Sequence, residues 1–299
     1  MRSPPLAPED LRLEIGPGLA FQLEGVPAAF AQRVGEFLKH FVCSQPRCAQ
    51  PPLRITAEPP PDGTEPAGEP ILVEPPVVVR QTGDLTFFDV PGVRGWCDPL
   101  RVRAGIVLDQ ASATEIEQFT RMAFAAMLFE LAPSRGWLGL HAAAVAVDGR
   151  GILLPGPSGA GKSTIFRRAH RSGLGVLSDD LVWLRETGDS FRIRALPHSL
   201  PGRPVPGPTD DDVPLEAIVC PTIVARRDSH LAALTVPEVL AVLLAQSGCL
   251  TGGPLAGERF KAWVRVARCA PAYRLEAGSE RERVPSMLGE LFRRPDPRR

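Results

Sequence analysis

The sequence predicts an α/β protein with an N-terminal α+β domain over 1–108 and a second, α/β domain over 109–299. Three features predict it. The chain has 299 residues, 44 % of them apolar, enough to bury two cores. Short alternating or continuously apolar runs recur between segments whose apolar residues fall at three- and four-residue spacing, so strands and helices are interleaved. Finally, Gly151–Thr164 reads as an apolar strand, a glycine-rich turn and the first turn of a helix.

In chain order, Leu11-Arg12-Leu13-Glu14-Ile15 alternates strictly and reads as a half-buried strand, with a second around Phe21–Leu23. Pro27 opens a helix over 27–42, because Phe30, Val34, Phe37, Leu38, Phe41 and Val42 share one stripe. Leu53–Thr56 is another strand, and the proline- and glycine-rich run Glu58–Pro70 reads as a mobile loop that no packed element holds. Strand-like runs follow at Val77–Arg80, Leu85–Val90 and Leu100–Leu108. Asp89-Val90-Pro91-Gly92 matches the D-x-x-G of GTPases, but it precedes the glycine-rich turn and no N-K-x-D follows, so it reads as a plain turn. The longest helix runs from Thr114 to Ala132 on a wide apolar face, is ended by Pro133 and Gly136, and is expected to bridge into the second domain.

In the second half Leu138–Val147 is a strand, Asp148–Gly151 a hairpin turn and Ile152–Leu154 the strand that feeds the glycine-rich turn. Entry by a hairpin differs from the parallel βαβ entry of most nucleotide-binding folds. A helix over Ser163–Ser172 ends at Gly173, and Leu174–Ser178 forms a strand that runs out into Asp179-Asp180. Beyond it the pattern gives a strand at Phe191–Leu196, a polar loop over Gly202–Pro214 whose Asp210-Asp211-Asp212 reads as a solvated turn, and a buried strand at Ala217–Val224. Leu231–Leu234 and Tyr273–Leu275 are strands, 236–247 and 255–268 helices, 280–292 a helical tail, and 293–299 a disordered end.

The chemistry concentrates between 141 and 180. Gly156, Gly161, Lys162 and Ser163 satisfy G-x-x-x-x-G-K-S/T, the phosphate-binding loop, with the strand and helix that the motif requires on either side. Glycines at 156, 159 and 161 let the backbone curl until successive N–H groups face a phosphate at a helix N-terminus. Gly156, Pro157, Ser158, Gly159, Ala160, Gly161, Lys162, Ser163 and Thr164 are therefore candidates to hold the phosphates of ATP, with Lys162 reaching the β/γ-phosphates and the Ser163 hydroxyl ligating Mg²⁺. The lysine is a selective choice in a chain whose other lysines are Lys39 and Lys261. Asp179 and Asp180, one helix later at a strand end, are placed to meet the phosphates from the other side, one holding Mg²⁺ and the other orienting or deprotonating an attacking hydroxyl. His141 is open to two readings: a satisfied histidine on an apolar strand, or an imidazole carried by the hairpin toward the phosphates. Arg203, Arg226, Arg227 and Arg265 are candidates to clamp a transferred phosphate, and nothing in the sequence selects one.

Net charge is zero, with 34 acidic and 34 basic residues, so no global field favours nucleic acid or an anionic membrane. No apolar stretch approaches the length of a membrane span and the first ten residues lack a signal-peptide core, which predicts a cytoplasmic protein. Cys43, Cys48, Cys97, Cys220, Cys249 and Cys269 show no zinc spacing and read as thiols.

Leu140-His141-Ala142, a hairpin, Gly156 to Ser163, and then Leu177-Ser178-Asp179-Asp180-Leu181-Val182 together resemble the P-loop kinase core of the HPr kinase/phosphorylase family, which is similar to the nucleotide domain of phosphoenolpyruvate carboxykinase. The match is clear over 135–200. It implies an ATP-dependent serine kinase in which His141 lies beside the transferred phosphate, Lys162 and Ser163 bind phosphate and Mg²⁺, Asp179 assists the metal and Asp180 is the acid/base toward a seryl hydroxyl. Thr164 stands where the bifunctional members carry glutamate, and Leu196–Arg203 replaces their Glu-Ile-Arg-Gly-type segment, so the chain is more similar to the shorter HPr-kinase-like proteins. Those imply a serine acceptor on a peptide, protein or small molecule; a homo-oligomer is a further expectation. The alternative class is a nucleotide-binding or nucleotide-hydrolysing regulator, which has no need of a base such as Asp180.

Overall fold

The computed structural model describes residues 10–39, 41–43, 50–194, 199–200, 203–204, 212–247 and 255–293. Cys48, Cys249, Leu196–His198, Asp210, Asp211 and the 294–299 tail, on all of which the sequence raised expectations, lie outside them. The architecture is α/β with two large mixed sheets, in two units: Met1–Arg135 with Cys249–Gly257, and Gly136–Gly248 with Glu258–Arg299.

The first unit runs β1 (Asp10–Gly16), β2 (Leu19–Glu24), α1 (Ala28–Phe37), β3 (Leu53–Thr56), β4 (Leu72–Glu74), β5 (Val77–Thr82), β6 (Leu85–Val90), β7 (Val93–Asp98), β8 (Arg103–Leu108), α2 (Ala113–Gln118), a π turn (Phe119–Phe124) and α3 (Ala125–Leu131). Its eight strands form one sheet in the order β1-β2-β3-β8-β7-β6-β5-β4. Only the β2–β3 and β3–β8 pairs are parallel among these. A reciprocal cap starts the long helix: the Ser112 hydroxyl accepts from the Glu115 N–H at 3.3 Å and the Glu115 carboxylate from the Ser112 N–H at 2.6 Å.

Three expectations are corrected here. The long helix does not bridge into the second domain; it packs within the first unit, where the rings of Phe119 and Phe124 meet Phe30 edge-on at 5.9 and 5.7 Å. Its wide apolar stripe announced burial without announcing the partner. The 58–70 run is not a loose loop. Trp96 Nε1 donates to the Glu58 carbonyl at 2.9 Å, the Ala67 N–H donates to Thr82 Oγ1 at 2.9 Å, and Pro60 is buried. Gly105 permits this strap, since a Cβ there would collide with the Trp96 indole nitrogen and reach 2.6 Å from the Glu58 carbonyl. Finally, Leu100–Leu108 is not one strand: it begins as a turn, with Val102 at φ 54°, and the strand paired before it is β7.

The second unit runs β9 (Trp137–Val147), β10 (Arg150–Pro155), α4 (Lys162–Arg171), β11 (Gly175–Ser178), β12 (Leu181–Thr187), β13 (Ser190–Arg194), the short pair β14 (Ser199–Leu200) and β15 (Arg203–Pro204), β16 (Val213–Ile223), β17 (His230–Ala233), α5 (Val236–Gln246), α6 (Ala256–Cys269), β18 (Ala272–Ala277) and α7 (Val284–Glu290). The strand order is β10-β9-β12-β13-β16-β18-β17, with β11 beside β9 and β10 also parallel to β16. Five strands, β10, β9, β12, β13 and β16, thus close a circuit. Leu140, Ala142 and Ala144 of β9 face a core with Val239 and Trp263 of α5 and α6, while Ala143, Val145 and Val147 face one with Phe166 of α4 and Leu288 of α7. Helices cover both faces, which is why β9 is apolar without alternation.

The β9–β10 hairpin turns on Asp148 and Gly149 at φ 51° and 73°, the doubly positive pair that matches strand twist. Asp212 is no solvated turn: it is 5 % exposed, with Arg185 at 2.7 Å and Arg194 at 3.3 Å. The described cysteines, Cys43, Cys97, Cys220 and Cys269, are free thiols. No helix among the described residues is long and apolar enough to cross a membrane.

The seating of the helix on β7 can be tested at Gly95, where an added Cβ would lie 2.6 Å from Phe119 Cζ and 3.2 Å from Met127 Sδ. Gly95→Ala is expected to cost about 1–3 kcal/mol in urea denaturation, and Phe119→Leu to return part of that loss in the double variant. Additive effects, or an unchanged midpoint for Gly95→Ala, would contradict the seating.

Candidate active site

The site is built by one strand with neighbours on both sides. On one edge of β9, Ala142 pairs with Pro155, the last residue of β10 before the glycine-rich turn. On the other edge the Ala142 N–H donates to the Asp180 carbonyl at 3.0 Å, and His141 pairs with Leu181. The glycine-rich turn and the aspartate pair therefore leave the sheet at the same level, about two strand spacings, or ~10 Å, apart. Two motifs separated in sequence by a helix and a strand are set side by side because β9 lies between them.

The turn is shaped by backbone conformations that suit glycine. Gly159 and Gly161 take φ 79° and 97°, and Gly161 caps α4. The Ala160 N–H bonds the Pro157 carbonyl at 3.2 Å, tightening the segment into a cup with Pro157, Ser158 and Gly159 exposed and Gly156 and Ala160 buried. Lys162 is only 6 % exposed and folds back over the cup, its Nζ donating to the carbonyls of Gly156 at 2.6 Å and Pro157 at 3.0 Å. Burial holds its pKa below the ordinary lysine value, while the charges of Asp180 and Asp179 act the other way. Ser163 and Thr164, half-buried, occupy the first turn of α4 behind it.

On the opposite side Asp179 is half-buried and the Asp180 side chain 56 % exposed. The bend that carries them is fixed by Ser178, fully buried, whose hydroxyl donates to the Leu181 carbonyl at 2.5 Å. His141 settles as a member of this cluster: its Nδ1 lies 2.9 Å from Asp180 Oδ1. Ser163 and Asp179 offer a hydroxyl and a carboxylate, a donor set suited to Mg²⁺ that takes its other ligands from phosphate and water. Among the described residues, no three His, Cys, Asp or Glu side chains gather as a metal cage.

The arginine clamp candidates are engaged elsewhere: Arg226 with Glu276 at 2.5 Å, Arg227 with Glu280 at 2.5 Å and Arg265 with Glu186 at 2.8 Å. The side chain of Arg203 is outside the described residues. Two features carried no sequence signal. One is the Ser178 bond. The other is a cavity of about 100 Å³ flanking Gly156 and Pro157, bounded by Cys220 and by the Arg274–Glu238 ion pair at 3.1 Å. Burial pushes the Cys220 thiol up to about 12, so it stays protonated there.

No family model matches the chain, and no curated protein matches it. Among solved structures it is similar to the HPr(Ser) kinase/phosphatase of Coxiella burnetii, at 12% identity and a TM-score of 0.31, covering 52% of this chain and 88% of that one.

The burial of Lys162 has a measurable sign. A base whose pKa is lower folded than unfolded binds fewer protons in the native state between the two values, so stability rises with pH across that window. Relative to Lys162→Met, the wild-type chain should gain unfolding free energy as pH is raised toward 10.5, the ordinary lysine value, in urea denaturation at stepped pH. A difference that stays flat or falls would contradict burial as the dominant influence.

Proposed function

We propose that this protein is an ATP- and Mg²⁺-dependent phosphotransferase that moves the γ-phosphate of ATP to a hydroxyl, that of a serine on a peptide, protein or small molecule. The observation that carries the reading is the His141–Asp180 pair at 2.9 Å, held by β9 opposite a glycine-rich cup whose lysine is buried. A solvated aspartate pair would need no imidazole partner, and a plain turn would need no buried ammonium.

In this reading the N–H groups of the cup receive the phosphates, and Lys162 exchanges the carbonyls of Gly156 and Pro157 for phosphate oxygens. An anion there offsets the burial that now depresses the lysine's pKa. Ser163 and Asp179 would hold Mg²⁺, which would supply charge neutralisation. Asp180, more than half exposed, accepts the proton of the acceptor hydroxyl as the new O–P bond forms and the bond to the β-phosphate breaks. His141 keeps the Asp180 carboxylate turned into the site. The acceptor is not selected by any of these residues.

The test separates the two aspartates, using γ-labelled ATP and a soluble cell extract as the source of acceptors. Asp180→Asn should bind MgATP as the wild type does while transfer falls by ~10²–10⁴-fold, the usual weight of a general base. Asp179→Asn should act through the metal, so that raised Mg²⁺ or Mn²⁺ recovers part of its loss. Lys162→Ala should lose MgATP binding by about 10–100-fold, the worth of charge-assisted hydrogen bonds. Transfer at the wild-type rate in Asp180→Asn would remove the base and with it the kinase reading.

A further inference from the structure

The second unit contains a strip of parallel strands that the phosphotransfer reading uses only in part. β10 is parallel to β16 and β16 to β18, while β9, on the other edge of β10, is antiparallel. Ligands of α/β sheets bind beyond the carboxyl ends of parallel strands. In this strip the end of β10 carries the glycine-rich cup, and β16 outruns β10 to flank it. A Cβ on Gly156 would lie 3.6 Å from Pro221 Cδ, and one on Gly161 would lie 3.5 Å from Ile223 Cγ1. The aspartate pair lies beyond the opposite edge of β10, across β9. The cup therefore has Asp179 and Asp180 on one flank and the end of β16 on the other.

The end of β16 is a rigid shelf. The Val224 N–H donates to the Ala277 carbonyl at 3.1 Å, and the turn that follows is tied to the turn after β18. There the N–H groups of Ser279 and Glu280 donate to the carbonyls of Arg226 and Arg227 at 2.9 and 3.0 Å, and the Gly278 N–H donates to Ser229 Oγ at 3.1 Å. The two turns approach so closely that any side chain at Gly278 would overlap the carbonyl oxygens of Arg226, Arg227 and Asp228. On this shelf the Ile223 side chain is 44 % exposed; among the described residues of the second unit, Phe260 of α6 is the other large apolar side chain left so open. An apolar surface fixed by backbone bonds beside an anion-binding cup suits a ligand that joins phosphates to a flat ring.

We propose that the nucleoside of the bound triphosphate lies over this shelf, with its base packed flat on Ile223. The proposal rests on the phosphotransfer reading and adds a direction to it. The γ-phosphate is delivered toward Asp180, and the N–H groups at the start of α4 receive the phosphates behind it. The α-phosphate and nucleoside then leave the cup on the flank away from the aspartates, which is the flank of β16. Ile223 meets them there, against the same Gly161 that caps α4. Its contribution is the removal of apolar surface from water, on its own side chain and on the face of the base.

The test compares MgATP with the magnesium complex of methyl triphosphate, which carries the same charge and no nucleoside, by isothermal titration calorimetry on the full-length protein. The wild type should bind MgATP at least about tenfold more tightly than methyl triphosphate. Ile223→Ser should weaken MgATP by about five- to tenfold and methyl triphosphate by less than about twofold, so that the gap between the two ligands closes. Ile223→Phe, which offers an aromatic face to the base, should tighten MgATP alone. Equal affinities of the wild type for the two ligands would overturn the proposal and leave the phosphate cup standing. So would an equal loss of both ligands in Ile223→Ser, which would make Ile223 a support for Gly161 and no part of a nucleoside site. Binding of neither ligand by the wild type would remove the cup and the shelf together.

Discussion

Everything proposed for the second unit depends on the pairing of β9 with both β10 and β12. If Ala142 did not hold Pro155 on one side and the Asp180 carbonyl on the other, the glycine-rich cup and the aspartate pair would have no common level. Register in a sheet with helices on both faces is fixed by burial, because a slip of one residue would exchange the Ala142 and Ala143 sides of the strand and mismatch both cores. The closed circuit of β10, β9, β12, β13 and β16 adds a second constraint, since none of these strands can shift alone. The geometry of His141 and Asp180 is thus inherited from packing well away from them.

Within that frame the electrostatics are arranged around one buried cation. Lys162 has left water for two loop carbonyls, which accept two of its three N–H donors without neutralising its charge. Two carboxylates across the site favour the ammonium, yet burial outweighs them. A ligand bearing several negative charges supplies what the carbonyls lack, and the exposed tip of the cup, Pro157 to Gly159, is where it would enter. Asp180 remains the most accessible carboxylate of the cluster, consistent with a group that must meet an acceptor arriving from solvent.

The parts of this arrangement written in local chemistry were legible in the sequence. The Asp148-Gly149 turn, the glycines at 159 and 161, and the unalternating β9 each carry their own signature, and the hairpin brought His141 into consideration. Contacts between distant segments were not legible. The strap over 58–70 looks unstructured by composition and is held by the Trp96 indole N–H, by the Ala67–Thr82 hydrogen bond and by the missing side chain of Gly105. β7, Val93-Arg94-Gly95-Trp96-Cys97-Asp98, hides because its charged and glycine positions break its apolar pattern. The long helix advertised an apolar face without its partner, and Asp212 looked like part of an acidic turn because the arginines that bury it come from β12 and β13.

The most direct measurement is the fate of the γ-phosphate when the wild-type protein is given γ-labelled ATP and Mg²⁺ with and without a soluble cell extract. The account predicts label on an acceptor as an acid-stable, alkali-labile serine ester, only when extract is present and not when the metal is chelated. Label recovered solely as inorganic phosphate, at the same rate with and without extract, would contradict it and make the protein a nucleotide-hydrolysing regulator.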